Sequence, residues 1–121
     1  MGLGSAAGGM ARFGLQLWAD RVFPGGFPVG TVLANLTGCF AMGLLAGCQR
    51  DGAPLLGVRE RQFLLTGVLG GYTTFSAFSL QSLELVQAGR TGWAAIHVGG
   101  SVAGCLLAVA AGQGLAHWLT R

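Results

Sequence analysis

The chain has 121 residues and a formal net charge of +3; 52% of its residues are apolar and only 9% are charged. Soluble domains carry about 25% charged residues, and a chain this short must cover a surface that is large relative to its core. Seven basic and four acidic side chains cannot do that, so a soluble enzyme is excluded. A nucleic-acid binder is excluded as well, because every cation is an Arg and the Arg residues are scattered rather than gathered into a phosphate-binding stripe. High hydropathy excludes a disordered chain. The composition is that of an integral membrane protein.

The charges mark the joints between four apolar stretches. We read helices over Leu3–Ala19, Gly30–Cys48, Phe63–Val86 and Trp93–Leu119, each near or above the roughly 20 residues that cross a bilayer core about 30 Å thick. The fold class expected is an all-α integral membrane protein, one four-helix transmembrane domain over residues 1–121. No basic segment precedes the first apolar run and Arg12 interrupts it, so no cleaved signal peptide is expected.

Helix 1 carries Arg12, whose head can snorkel toward a membrane surface. The joint that follows, Asp20–Val29, holds Pro24, Gly25, Gly26 and Pro28, a turn signal. Helix 2 carries a mid-span Asn35, with two N–H donors and an acceptor oxygen. The joint Gln49–Arg61 is the most charged segment and contains Pro54. Trp18, Trp93 and Trp118 fall near helix ends, where an aromatic belt is expected.

Helix 3 is the informative one. Gly70 and Gly71 are followed by Tyr72, Thr73 and Thr74, a run of poor helix formers in which each Gly costs about 1 kcal/mol against Ala. Two readings fit. One is a break at Gly70–Thr74, tolerated in a membrane only if buried in protein or facing a polar cavity. The other is a Gly-Gly packing notch, with Thr hydroxyls bonded back to the previous turn. Phe75 and Phe78 share a face. They either pack or offer their electropositive ring edges to an anion. Glu84 stands near the end of the span, so no acid lies at mid-depth.

Ala88–Gly92 is a tight link into helix 4. That helix places His97, Ser101 and Cys105 at four-residue steps on one face. His97 either titrates or stays neutral and hydrogen-bonded. Cys39, Cys48 and Cys105 have no metal-ligand spacing and read as small packing residues. Gly4–Gly8, Gly43–Gly47, Gly67–Gly71 and Gly100–Gly104 have the spacing that lets helix backbones approach in lipid, and a chain this small is expected to oligomerise. Arg50, Arg59, Arg61 and Arg121 on one side, against Arg21 and Arg90 on the other, give a weak bias toward termini inside.

Gly70-Gly71-Tyr72-Thr73-Thr74-Phe75-Ser76-Ala77-Phe78-Ser79-Leu80 resembles the GG-x-TTFS-x-FS-L signature of the Fluc (CrcB-type) fluoride channels. Gly30 to Gly38 resembles that family's helix 2 pattern, GT-x-x-x-N-x-x-G, and Gly8 to Phe13 its helix 1 pattern ending in Arg-aromatic. The resemblance implies an antiparallel homodimer inserted in both orientations in the cell inner membrane, with two fluoride pores and passive fluoride export. It implies a pore lined by Asn35, Thr74, Phe75, Ser76, Phe78, Ser79, His97 and Ser101, with Cys105 on the same track, and structural roles for Arg12 and Gly71. It implies a structural Na+ on the two-fold axis, held by the backbone carbonyls of Gly70 and Thr73. Three positions depart from the family pattern: Gln81 for Glu, His97 for Tyr and Cys105 for Ser. The alternative is a four-span organic-cation transporter, which needs a membrane carboxylate and an aromatic cage. A lesion-forming assembly subunit would be unselective, and no nucleophile–base pair suggests an enzyme.

Overall fold

The computed structural model describes residues 2–50 and 52–120; Met1, Asp51 and Arg121 lie outside them. Helix α1 spans Gly2–Val22 and α2 spans Val29–Gly47. A two-stranded antiparallel ribbon follows, β1 (Gln49–Arg50) pairing with β2 (Ala53–Pro54), its turn made possible by Gly52 at φ 77°. The third span runs over Val58–Gln87 in four pieces: α3 (Val58–Arg61), a π-helical segment (Gln62–Leu69), α4 (Gly70–Tyr72) and α5 (Ser76–Gln87). Helix α6 covers Thr91–Leu119.

The four expected helices are present with shifted ends. The first runs on through Asp20 and Arg21, the third begins at Val58 rather than Phe63, and the last begins at Thr91. Charged residues sit comfortably in terminal turns, so charge placed the joints a few residues too far inward. Among the described residues, three helices (α2, the third span and α6) are both long and apolar enough to cross a membrane. Helix α1 has the length, at 21 residues, but Gly, Arg12 and Gln16 dilute its apolar character.

The interior is built mostly from small residues, with Phe78, Leu85 and His97 the large side chains among them. Ala19, Ala34, Ala94 and Ala116 are buried, while Leu3, Met10, Leu106, Leu107 and Trp118 stand exposed. Large apolar groups outside and small ones inside is the packing of helices in lipid, where hydrocarbon solvates Leu and close backbone approach supplies the attraction. Two of the glycine pairs serve this packing within the chain. A methyl group on Gly8 would run into the Val68 carbonyl, and one on Gly43 into the Val109 carbonyl. Gly4 and Gly47 are also buried. So α1 lies against the π segment and α4, and α2 lies along α6. Gly100 meets nothing within 4 Å.

Local geometry explains the joint between α5 and α6. Gly89 takes φ 76°, its N–H bonds to the Val86 carbonyl at 3.0 Å, and the Arg90 N–H reaches the Leu85 carbonyl at 2.8 Å. This left-handed glycine cap satisfies two orphan carbonyls and turns the chain sharply.

Candidate ion pathway

The third span stops being helical after Tyr72. Thr73 has extended dihedrals, φ −83° and ψ 158°, and winding resumes at Ser76. Gly70 and Gly71 remain helical, so the irregular residues are 73–75 rather than the expected 70–74. Gly71 plays the packing role instead: a methyl on it would approach the Ser5 carbonyl to 2.5 Å. Thr73 Oγ1 also bonds back to the Leu69 carbonyl at 3.1 Å. The notch reading describes Gly71 and the Thr73 side chain; the irregular backbone begins at Thr73 itself.

Asn35 holds this backbone. Its Nδ2 donates to the Thr74 carbonyl at 2.9 Å, and its Oδ1 accepts the Thr74 N–H at 2.7 Å. One Nδ2 proton remains for another partner. The Thr74 hydroxyl accepts the Ala77 N–H at 3.1 Å and stabilises the first turn of α5. In an unbroken helix the Thr74 and Ala77 N–H groups would serve the carbonyls of Gly70 and Thr73. Both donors are turned elsewhere, which releases those two carbonyls.

A cavity of about 250 Å³ opens beside the irregular backbone, lined by Asn35, Cys39, Thr73, Thr74, Phe75, Phe78, Ser101, Val102 and Cys105. Among the described residues, no charged side chain lines it. Phe78 is buried at 8% exposure and Phe75 stands out at 77%, their ring centroids 5.5 Å apart. The Ser101 hydroxyl is buried with no hydrogen-bond partner among the described residues.

His97 lies behind Phe78. It is 1% exposed, its ring 4.9 Å from Phe78 and 5.6 Å from Phe27. Neither ring nitrogen has a partner among the described residues, so the expected hydrogen bond is not made: the surrounding faces are aromatic. Phe27 in turn lines a wider cavity of about 660 Å³, with Asp20, Gln81, Glu84 and Arg90 around its wall. Arg90 is held there by a 3.1 Å bond to the Gly25 carbonyl and lies 4.5 Å over the Trp93 ring. The sequence Phe27–His97–Phe78 therefore joins a polar outer cavity to an uncharged inner one.

Of the expected site residues, Asn35, Thr73, Thr74, Phe75, Phe78, Ser101 and Cys105 meet in the inner cavity. Ser76 and Ser79 are exposed on α5 and do not line it, because α5 turns that face away from α6. Gly70 is exposed, and Arg12 is half-buried, with its Nε unpartnered among the described residues. Cys39, expected to be plain packing, lines the cavity, as does Val102; Phe27 bridges the two cavities. Only the register of α2 against α6 reveals Cys39, since nothing in its sequence neighbourhood marks it.

A family model described as CrcB-like protein, Camphor Resistance (CrcB), matches residues 1–113. The chain belongs to this family. Among its CrcB relatives, a protein of Paracoccus denitrificans (strain Pd 1222) is 48% identical over 112 residues, covering 91% of this chain and 86% of the relative. One from Opitutus terrae is 44% identical over 108 residues, covering 88% and 82%. One from Anaeromyxobacter sp. (strain K) is 40% identical over 119 residues, covering 97% and 92%. All three are named fluoride-specific ion channel FluC. With its apolar spans, this CrcB chain is a multi-pass membrane protein.

Proposed function

We propose that the protein is a fluoride-selective channel of the cell inner membrane that lets cytoplasmic fluoride leave down its own gradient. The observation that carries this reading is the inner cavity, which offers neutral donors and aromatic edges at mid-span and no cation. Fluoride is small and strongly hydrated, so a path through the membrane must replace its water. The free Nδ2 proton of Asn35, the unpartnered Ser101 hydroxyl and the rings of Phe75 and Phe78 supply that replacement. Binding stays weak enough for release because no Arg faces the ion. Hydrogen fluoride crosses the bilayer as a neutral acid and ionises inside; the channel returns the anion without spending energy.

The functional unit in this reading is an antiparallel homodimer. Phe75 is the support: a pore-lining ring left 77% exposed in one subunit needs a second protein surface to complete its surroundings. The carbonyls of Gly70 and Thr73, released by the diversion of the Thr74 and Ala77 N–H groups, are suited to hold a Na+ with their counterparts in the partner. When bound, that cation supplies a fixed positive charge that ties the two irregular segments together. An organic-cation transporter is disfavoured, since Asp20 and Glu84 line the outer cavity and, among the described residues, no carboxylate lines the inner one.

Efflux from liposomes tests the function. Fluoride should leave and chloride should not; equal leak of both ions rejects selectivity, and uptake of an organic cation in place of fluoride efflux favours the transporter.

A further inference from the structure

The inner cavity carries two thiols, Cys39 and Cys105, whose metal-binding chemistry fluoride passage does not call on. Cys39 on α2 and Cys105 on α6 are both free and half-buried, and both line the cavity. The helix register brings them together. A methyl on Gly104 would meet Leu36, and one on Gly43 would meet the Val109 main chain, so these stretches of α2 and α6 run side by side. A second feature points to a ligand in the same place: the Ser101 hydroxyl, one turn before Cys105, is 6% exposed, lines the cavity and has no partner among the described residues.

We propose that Cys39 and Cys105 form a two-thiolate site for a soft divalent cation, with Hg2+ as its type, and that an occupant closes the fluoride path. Thiolates select soft metals over Mg2+ or Ca2+. Zinc is poorly served, because it prefers four ligands, and no group of three or more His, Cys, Asp or Glu side chains is found among the described residues. The reaction balances without a redox partner: Hg2+ forms two Hg–S bonds, and the two S–H bonds release two protons to water. The product is neutral, which spares the cavity the cost of burying a charge. Its position beside Asn35, Phe75 and Phe78 puts the metal across the route a fluoride ion takes. Cys48 is an internal control: its thiol bonds to the Leu44 carbonyl at 3.1 Å and it does not line the cavity.

The site itself does not depend on the channel reading; its effect on flux does. The experiment titrates the full-length purified protein with HgCl2, following the ultraviolet Hg–thiolate band and counting the thiols consumed. In parallel, fluoride efflux from liposomes is measured with HgCl2 added, each variant normalised to its own Hg-free rate. The expected result is one tight Hg2+ consuming two thiols, unchanged in Cys48→Ser and lost in both Cys39→Ser and Cys105→Ser. Efflux should fall to the rate of protein-free liposomes in the parent and in Cys48→Ser, but not in the double variant Cys39→Ser/Cys105→Ser. Alkylation of the unmutated protein read by mass spectrometry, with Hg2+ shielding residues 39 and 105 and not 48, checks the pairing independently of how any variant folds. Tight binding that consumes one thiol, or that survives loss of either cysteine, overturns the paired site. A paired site with undiminished efflux overturns the closure. Absence of efflux before any Hg2+ is added overturns the channel reading instead, and the thiol count then judges the site.

Discussion

Asn35 works on the backbone as much as on any ion. Its amide takes both the donor and the acceptor of Thr74, so Asn35→Ala would leave a half-buried N–H and carbonyl without partners. Stranding such groups costs about 1–3 kcal/mol each. We expect Asn35→Ala to lower the melting temperature in detergent and abolish fluoride efflux, whereas a variant that keeps both stability and flux removes Asn35 from the pathway. Phe75 and Phe78 should separate in the same assays. Phe78 is packed between Phe75 and His97, so Phe78→Ala removes buried ring area at a cost of about 3–5 kcal/mol. Phe75→Ala should leave the melting temperature of a subunit nearly unchanged, because the ring is largely exposed there. Both should cut flux, and unchanged flux in both returns them to a packing role.

The elements meet through glycine, and their geometry tolerates little added volume. Gly8→Ala would drive a methyl into the Val68 carbonyl and to 2.8 Å from the Tyr72 nitrogen. The strain falls on the π segment and on α4, immediately before the irregular residues. Overpacking of this kind costs about 1–3 kcal/mol, so Gly8→Ala should lower the melting temperature and disturb flux together. Gly114→Ala, with nothing within 4 Å, should leave stability equal or slightly raised, as expected for an exposed helical Gly. Equal loss in both variants would mean that the close approach of Val68 is not what makes Gly8 sensitive. The π segment also explains why the faces of this span were hard to read. Its bonding skips one residue more per turn than an α-helix, so a 3.6-residue count carried from Phe63 to Phe78 drifts out of phase. Ser76 and Ser79, which the family resemblance assigns to the pore, lie on the exposed face of α5 in one subunit.

The whole molecule exposes one wall of a site on its surface. Under the dimer reading, crosslinks between engineered cysteines on opposite α5 helices should form only in the antiparallel sense. On the same reading, labelling of an engineered loop cysteine in intact cells should reach only part of the population from outside. Complete labelling or complete protection excludes dual topology. Replacement of Na+ by a large organic cation during purification should lower the melting temperature of the assembly if the Gly70 and Thr73 carbonyls hold the ion, and should leave it unmoved if they do not.

Composition alone determined that this chain lives in a membrane, because eleven charges cannot clothe a protein of this size in water. The motif from Gly70 to Leu80 pointed to the irregular third span and to Phe75 and Phe78, since weak helix formers and aromatic rings are local facts. Helix ends were legible to within a few residues, as turn signals are local too. The tertiary structure decided what depends on register between helices. It turned Asn35 from a free donor into the clasp of Thr74, moved the irregular backbone from Gly70 to Thr73, left His97 among rings without a hydrogen bond and brought Cys39 opposite Cys105. Those outcomes arise from side chains dozens of positions apart meeting across a seam, and a linear pattern holds no record of how deep a glycine notch lets two helices approach.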